Sequence, residues 1–314
     1  MNDQMTYKDR KGWLIVFGIY EVLAGLSLAL IAFFSFLISN KLPIPKLWIT
    51  TTGIMMTVLA IQRVILGIGS IQAKRWARAL VLIFSWVSLV TGSLSIIFSF
   101  FITQPAPPYS PSLNPQIMGM IRLISKGFEV FISVVVPLVF VLFYGSEDVK
   151  KTCESRNPNP SWTDRCPLIV LGLSIYKCIG ALAFMGFIPF GFGYPFFFTV
   201  IEGIPGSIIW IAHSILMIYA AVLLYGLHLK GWFLAFGIHL FGFINMGCYL
   251  ISKGFADYFS RIKDPYFQEI SQKMIIPNQA LWSIYSVAVI VGVILYLLYV
   301  RRYFNFKNVA QARG

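Results

Sequence analysis

One stretch of this chain, WLIVFGIYEVLAGLSLALIAFFSFLI from Trp13 to Ile38, holds a single charged residue, Glu21. An α-helix crosses a bilayer with about 20 predominantly apolar residues, and this run is long enough to do so. Seven more runs read the same way: Leu47–Gln72, Ala77–Ile102, Ile117–Tyr144, Pro167–Phe190, Pro205–Leu227, Gly231–Ile251 and Ala280–Val300. They are too long for the strands of a membrane barrel and lack strict alternation. With no water to satisfy a bare backbone in lipid, the remaining solution is helical. The reading is an all-α polytopic membrane protein with eight transmembrane helices. Charged residues make up 12% of the chain, against about 25% in soluble domains.

The charges gather between the apolar runs. With the N-terminus placed in the cytoplasm, the inner segments hold 15 Lys and Arg, including Lys8, Arg10, Lys74, Lys150, Arg165, Lys230 and Arg301. The outer segments hold 6: Lys41, Lys46, Lys253, Arg261, Lys263 and Lys273. The positive-inside rule then predicts both termini in the cytoplasm. The formal charge of +13 belongs to these flanks, so it points to anionic lipid headgroups and not to nucleic acid. The leader MNDQMTYKDRKGW opens into an apolar run longer than a signal peptide has, and reads as the flank of an uncleaved first span. Prolines mark several borders, and Pro137, inside the fourth run, predicts a kink.

A shift of 156 residues lays Ile19–Glu21 (IYE) on Ile175–Lys177 (IYK), KRWARA at Lys74–Ala79 on KGWFLA at Lys230–Ala235, and Leu142 on Leu298. The same shift superimposes the span borders. The expectation is two parallel four-helix repeats, 1–145 and 167–314, joined by a cytoplasmic connector, 146–166. An even number of spans per repeat gives both copies one orientation. The segment 252–278 carries Phe255, Tyr258, Phe259 and Ile262 at helical spacing, with Lys253, Asp257 and Arg261 largely opposite. It reads as a short helix lying in the outer interface.

Within the connector, DVKKTCESRNPNPSWTDRCPL at Asp148–Leu168 resembles a loop in a group of uncharacterised bacterial multi-pass membrane proteins, where it also joins the fourth span to the fifth. The resemblance is firm over these residues and looser over the flanking spans. It implies the fold and a bacterial inner (cytoplasmic) membrane, and it transfers no catalytic residue. Taken physically, Thr163 and Asp164 suit a cap for the fifth helix, Pro167 its first turn, and Trp162 the interface.

Ionisable residues inside the spans are the candidate functional groups, because burying a charge in lipid costs about 2.5–3.5 kcal/mol on insertion scales. At about 1.5 Å per residue, Lys177 and Glu21 lie roughly 15 Å from the inner border, Arg63 about 13 Å and His239 about 12 Å. These four form the expected intramembrane polar layer, with Tyr20, Tyr176 and Tyr219 near it. Glu21 has two candidate partners, Lys177 across the repeats and Arg63 within its own. One carboxylate cannot neutralise both cations, so an anion, water or headgroup is expected there. A second cluster, Arg122, Lys126 and Glu129, lies toward the outer side with His213 at similar depth; Lys126 or His213 is the expected partner of Glu129. Gly25 with Ala29, and Ser88 with Gly92, suit close helix packing.

No P-loop, GxSxG or HExxH motif occurs, so enzymatic activity is not expected. The four cysteines form no CxxC pair and lie far from the three histidines at ligand spacing, so no metal or cofactor is expected. Cys178 and Cys248 read as small core residues, and Cys153 and Cys166 as reduced cytoplasmic thiols. Two functions fit. One is a small-solute or ion transporter, or a permeation module, with its charged layer between the repeats. The other is a non-transporting component or scaffold that assembles with membrane-protein partners of the envelope. The lipid bilayer is a partner in both.

Overall fold

Glycines set how closely the first two helices approach. In α1 (Lys11–Ile38) and α2 (Lys46–Ile71), a Cβ added at Gly18 would stand 2.7 Å from the Gly67 oxygen, and one at Gly25 would stand 2.8 Å from the Ala60 oxygen. Backbone therefore lies on backbone, as small residues permit between helices in lipid. Ala29 takes no part and is exposed. The computed structural model describes residues 7–38, 46–101, 115–261, 268 and 279–304. Among them, eight helices are long and apolar enough to cross a membrane. The chain divides into two compact units: residues 1–94 with 115–165, and residues 95–114 with 166–314.

In the first unit, α2 ends where Ala73 turns left-handed, at φ 53°. The Ala73 N–H donates to the Ser70 oxygen and the Lys74 N–H to the Gly69 oxygen, a Schellman closure of the helix end. Helix α3 (Arg75–Phe101) follows. The fourth span is α4 (Pro115–Val130), a π-helical segment (Phe131–Val135) and α5 (Val136–Gly145). Pro137 has no N–H and its ring crowds the carbonyl four residues back, that of Ser133; the wide π turn absorbs both faults. Gly92 meets this point, since a Cβ there would collide with the Ser133 oxygen. Phe17 stacks on Phe143 at 4.4 Å between ring centres and meets Phe140 edge-on at 5.1 Å. Beneath them the Ser70 hydroxyl bridges the Leu14 oxygen and the fully buried Tyr144 hydroxyl.

The connector is ordered and packs on the first unit. Ser146 caps α6 (Glu147–Arg156), whose Asp148 accepts from Arg10 at 3.1 Å and whose Arg156 donates to Asp9 at 2.9 Å. Asn157 Nδ2 reaches the Ala73 oxygen, and Arg75 pairs with Asp164 at 2.9 Å. The capping expected of Thr163 and Asp164 goes elsewhere: Ser161 and Asp164 cap each other across the short turn Trp162–Asp164, and Pro167 stands at the start of α7 with no side-chain cap. Trp162 is exposed.

The second unit runs α7 (Leu168–Phe187), an antiparallel hairpin of β1 (Tyr194–Phe196) and β2 (Thr199–Ile201), α8 (Gly203–Tyr225), α9 (Leu229–Ser252), α10 (Gly254–Ser260) and α11 (Gln279–Val300). Its core gathers Val170, Leu173, Ala220, Leu224, Trp232 and Leu297, and Trp232 Nε1 donates to the Leu297 oxygen at 2.7 Å. Helix α8 ends as α2 does. Leu227 turns left-handed at φ 56°, with the Leu227 N–H on Leu224 and the His228 N–H on Leu223. Large apolar side chains such as Leu23, Leu30, Phe33, Leu182 and Ile215 are more than half exposed, a surface that lipid solvates and water does not. Cys178, read as a core residue, is exposed on α7, while Cys153 and Cys166 are buried. Burial pushes the Cys153 and Cys166 thiols up to about 11. The short helix expected in 252–278 is α10; the side chains of Phe255 and Phe259, and Ile262 as a whole, lie outside the described residues.

Candidate functional site

Glu21 and Lys177 are both buried, at 2% and 0% exposed, and each finds its partner inside its own unit. Arg63 Nη1 on α2 donates to Glu21 Oε1 at 2.8 Å and to Oε2 at 2.9 Å. Between the two candidates for Glu21, the structure selects Arg63. The selection follows from the glycine-lined contact of α1 with α2, where Gly25 lies one turn from Glu21 and meets the Arg63 Cβ.

Lys177 reaches across from α7 to α9. Its Nζ lies 2.5 Å from His239 Nδ1 and donates to the Ala235 oxygen at 3.4 Å. His239 Nδ1 also lies 3.1 Å from the Ala235 oxygen. A ring nitrogen cannot do both jobs at once. When Lys177 carries its proton, Nδ1 accepts from it and the ring proton sits on Nε2. When Nδ1 carries the proton, it donates to Ala235 and the lysine must be the neutral amine. The charge of Lys177 and the tautomer of His239 are thus tied together. Within the second unit the described carboxylates, Glu202 and Asp257, both contact Arg261 and neither pairs with Lys177.

Beside this pair the second unit forms a half-open cavity of about 320 Å³. All four long helices of the unit contribute to it: Tyr176, Gly180 and Phe184 from α7, Trp210, His213 and Met217 from α8, His239, Gly242 and Asn245 from α9, and Val289, Ile290 and Val293 from α11. Tyr194 and Pro195 of the hairpin also line it. The wall is mostly aromatic and aliphatic, with His213, His239, Tyr176, Tyr194 and Asn245 as its polar points. No group of His, Cys, Asp and Glu able to hold a metal ion occurs among the described residues.

The hairpin is held to this wall by side chains. Asn245 Oδ1 accepts from the Phe197 N–H at 2.5 Å, and Asn245 Nδ2 donates to the Pro195 oxygen at 2.6 Å. Phe197 opens the two-residue turn at φ 50°, a left-handed conformation usually left to glycine in such turns. The buried amide of Asn245 is what holds it there. Tyr194 Oη meets His213 Nδ1 at 3.0 Å, Trp210 Nε1 donates to the Phe192 oxygen at 3.1 Å, and Tyr258 Oη on α10 donates to the Gly193 oxygen at 3.1 Å.

The expected residues therefore fall in two places. Glu21 and Arg63 form an ion pair in the first unit; Lys177, His239 and His213 gather at the cavity in the second. In the other cluster Lys126 pairs with Glu129 at 2.9 Å, and His213 is taken by Tyr194. The backbone of Arg122 belongs to α4, and its side chain lies outside the described residues. Of the three tyrosines, Tyr176 lines the cavity, and Tyr20 and Tyr219 are exposed. Sequence reasoning missed Tyr194, Trp210 and Asn245. The run YPFFFTVI at Tyr194–Ile201, aromatic residues followed by β-branched ones, was the available signal for the hairpin; nothing marked Asn245. No protein-family profile, curated protein or solved structure matches this chain.

Proposed function

We propose that this protein moves a small solute or ion across a bacterial inner membrane, with the solute held in the cavity of the second unit. The cavity is the observation that carries the reading. Its volume lies at the small end of the range for ligand sites, about 300–1,000 Å³, and it combines an apolar wall with a few converging polar groups, as such sites do. Intramembrane ionisable residues are costly, and a functional site is the default reading for them. The reading assigns no covalent chemistry and no cofactor. It moves the charged layer from between the halves, where the sequence suggested it, into the second half. Gradient-driven uptake by the purified protein in proteoliposomes tests it: uptake that disappears in Gly180→Leu supports transport, and no uptake of any small anion, cation or neutral solute by folded protein leaves the scaffold reading.

The same proposal includes the layout. We read the chain as two parallel four-helix repeats with both termini in the cytoplasm. The constant offset of 156 residues supports the duplication; a left-handed closure also follows the second long helix of each unit, at Ala73 and at Leu227, two residues short of that offset. The excess of Lys and Arg supports the orientation. Reporter fusions at Ala106 and Asn159 are expected to read outside and inside; the same side for both would overturn the topology.

A further inference from the structure

We infer that the cavity selects a small organic anion: an apolar or single-ring body against Phe184, Trp210 and Met217, with an acidic group at the end formed by His239 and Lys177. This rests on the reading of the cavity as a solute site. An aromatic wall alone would suit a neutral ring or, through cation–π attraction, an organic cation. The charges decide against the cation. Among the cavity's lining residues no Asp or Glu occurs, and the lining residue His239 is contacted at Nδ1 by the fully buried Lys177. A protonated Lys177 fixes His239 with its proton on Nε2, so that ring nitrogen is a donor and not an acceptor. A carboxylate takes such a donor and gains from the lysine charge behind it, in the way an outer partner fixes a histidine for the group it holds. Tyr176 and the Asn245 amide are not needed for charge, and Asn245 is already engaged by the hairpin.

The test uses the full-length protein in lipid nanodiscs and three probes that share one ring and differ in charge: benzoate, benzyl alcohol and benzylamine. Binding is read by equilibrium dialysis and by tryptophan emission. Benzoate is expected to bind at least tenfold more tightly than benzyl alcohol, with benzylamine the weakest. In Lys177→Met the benzoate preference should fall at least tenfold while benzyl alcohol binding is retained. If that variant does not fold, the preference among the three probes in the unaltered protein, and its loss in His239→Gln, decide the matter. Equal binding of benzoate and benzyl alcohol, or a preference for benzylamine, would overturn the assignment of charge and leave the cavity a solute site. Binding of none of the three by folded protein would overturn the site as well. Benzoate binding without any uptake in proteoliposomes would uphold this inference and defeat transport.

Discussion

Glu21 and Lys177 stand 156 residues apart, each buried on the first long helix of its unit, and their surroundings differ in kind. Glu21 is met by a full opposite charge, with Arg63 Nη1 shared between its two carboxylate oxygens and the Arg63 side chain 38% exposed. Lys177 is met by an imidazole and a carbonyl, and no described carboxylate of its own unit answers it. A buried pair with both members present is close to neutral for stability, whereas one member alone is expensive. The first unit has spent its charge on holding α1 to α2. The second leaves a buried lysine on neutral partners beside a cavity, an arrangement that contributes little to folding.

That contrast is broken most directly at Arg63. Arg63→Met leaves the Glu21 carboxylate buried without a counter-charge and is expected to cost about 3–5 kcal/mol. Adding Glu21→Gln should recover most of the loss, because a neutral amide needs no cation. Unfolding in mild detergent, arranged as a double-mutant cycle, reads the coupling. A loss under about 1 kcal/mol for Arg63→Met would mean that the first unit, like the second, tolerates a bare charge, and the comparison would fall.

A smaller effect is expected where the second unit relies on neutral groups. Asn245→Ala leaves the Phe197 N–H and the Pro195 oxygen without their partner and frees a turn held in a strained conformation. Unsatisfied buried groups cost about 1–3 kcal/mol each, and the loss here should lie near the middle of that range. Limited proteolysis should then cut within Tyr194–Ile201. An uncut hairpin would show that Tyr258 and Trp210 hold it without Asn245.

Lys177→Met should change stability least of the three and in the opposite direction, by about 1 kcal/mol or less toward a more stable fold. The hydrogen bonds lost are to neutral acceptors, and the desolvation of an ammonium is relieved. Its effect should add to that of Glu21→Gln, as independent sites do. A loss comparable to that of Arg63→Met would reveal an anionic partner for the lysine.

The sequence carried the helices and the identity of the charged residues, because both follow from what lipid forbids. It did not carry the pairing. Depth along a helix places Glu21, Arg63, Lys177 and His239 in one layer, but which of them meet depends on rotation and on backbone spacing. Gly25 beside Glu21 brings α2 close enough for Arg63, and the offset that equates Glu21 with Lys177 says nothing about that. The cavity was hidden for a related reason. Asn245 and Trp210 look like ordinary span residues until a hairpin folds back on them, and YPFFFTVI between two apolar runs reads as their continuation. Cys178 misled because apolar periodicity in lipid does not tell inside from outside: both faces of α7 are apolar.

The two units agree at their margins, which gives the last and smallest test. Each holds a short helix through a carboxylate: α6 through Asp9 with Arg156 and Asp148 with Arg10, α10 through Asp257, which accepts from the Tyr249 hydroxyl of α9 and from the nearby Arg261. The Lys11 N–H, and then Arg156, hold the Asp9 carboxyl below its usual range. Arg261, and then the Tyr249 hydroxyl, do the same for Asp257. A carboxyl whose pKa is lowered by folding stabilises above its unfolded value, near pH 4, and loses that contribution as pH falls through the lowered folded value. Both helices should therefore stay docked at neutral pH and loosen only on strong acidification. Exposed ion pairs are worth about 0–1 kcal/mol, so Asp9→Asn and Asp257→Asn should each cost no more than that at pH 7. Hydrogen exchange of α6 and α10 between pH 7 and pH 3, corrected for intrinsic rates, reads the effect. Protection in α6 and α10 that is indifferent to acid in the unaltered protein would show that apolar packing, and not these carboxylates, keeps the two helices in place.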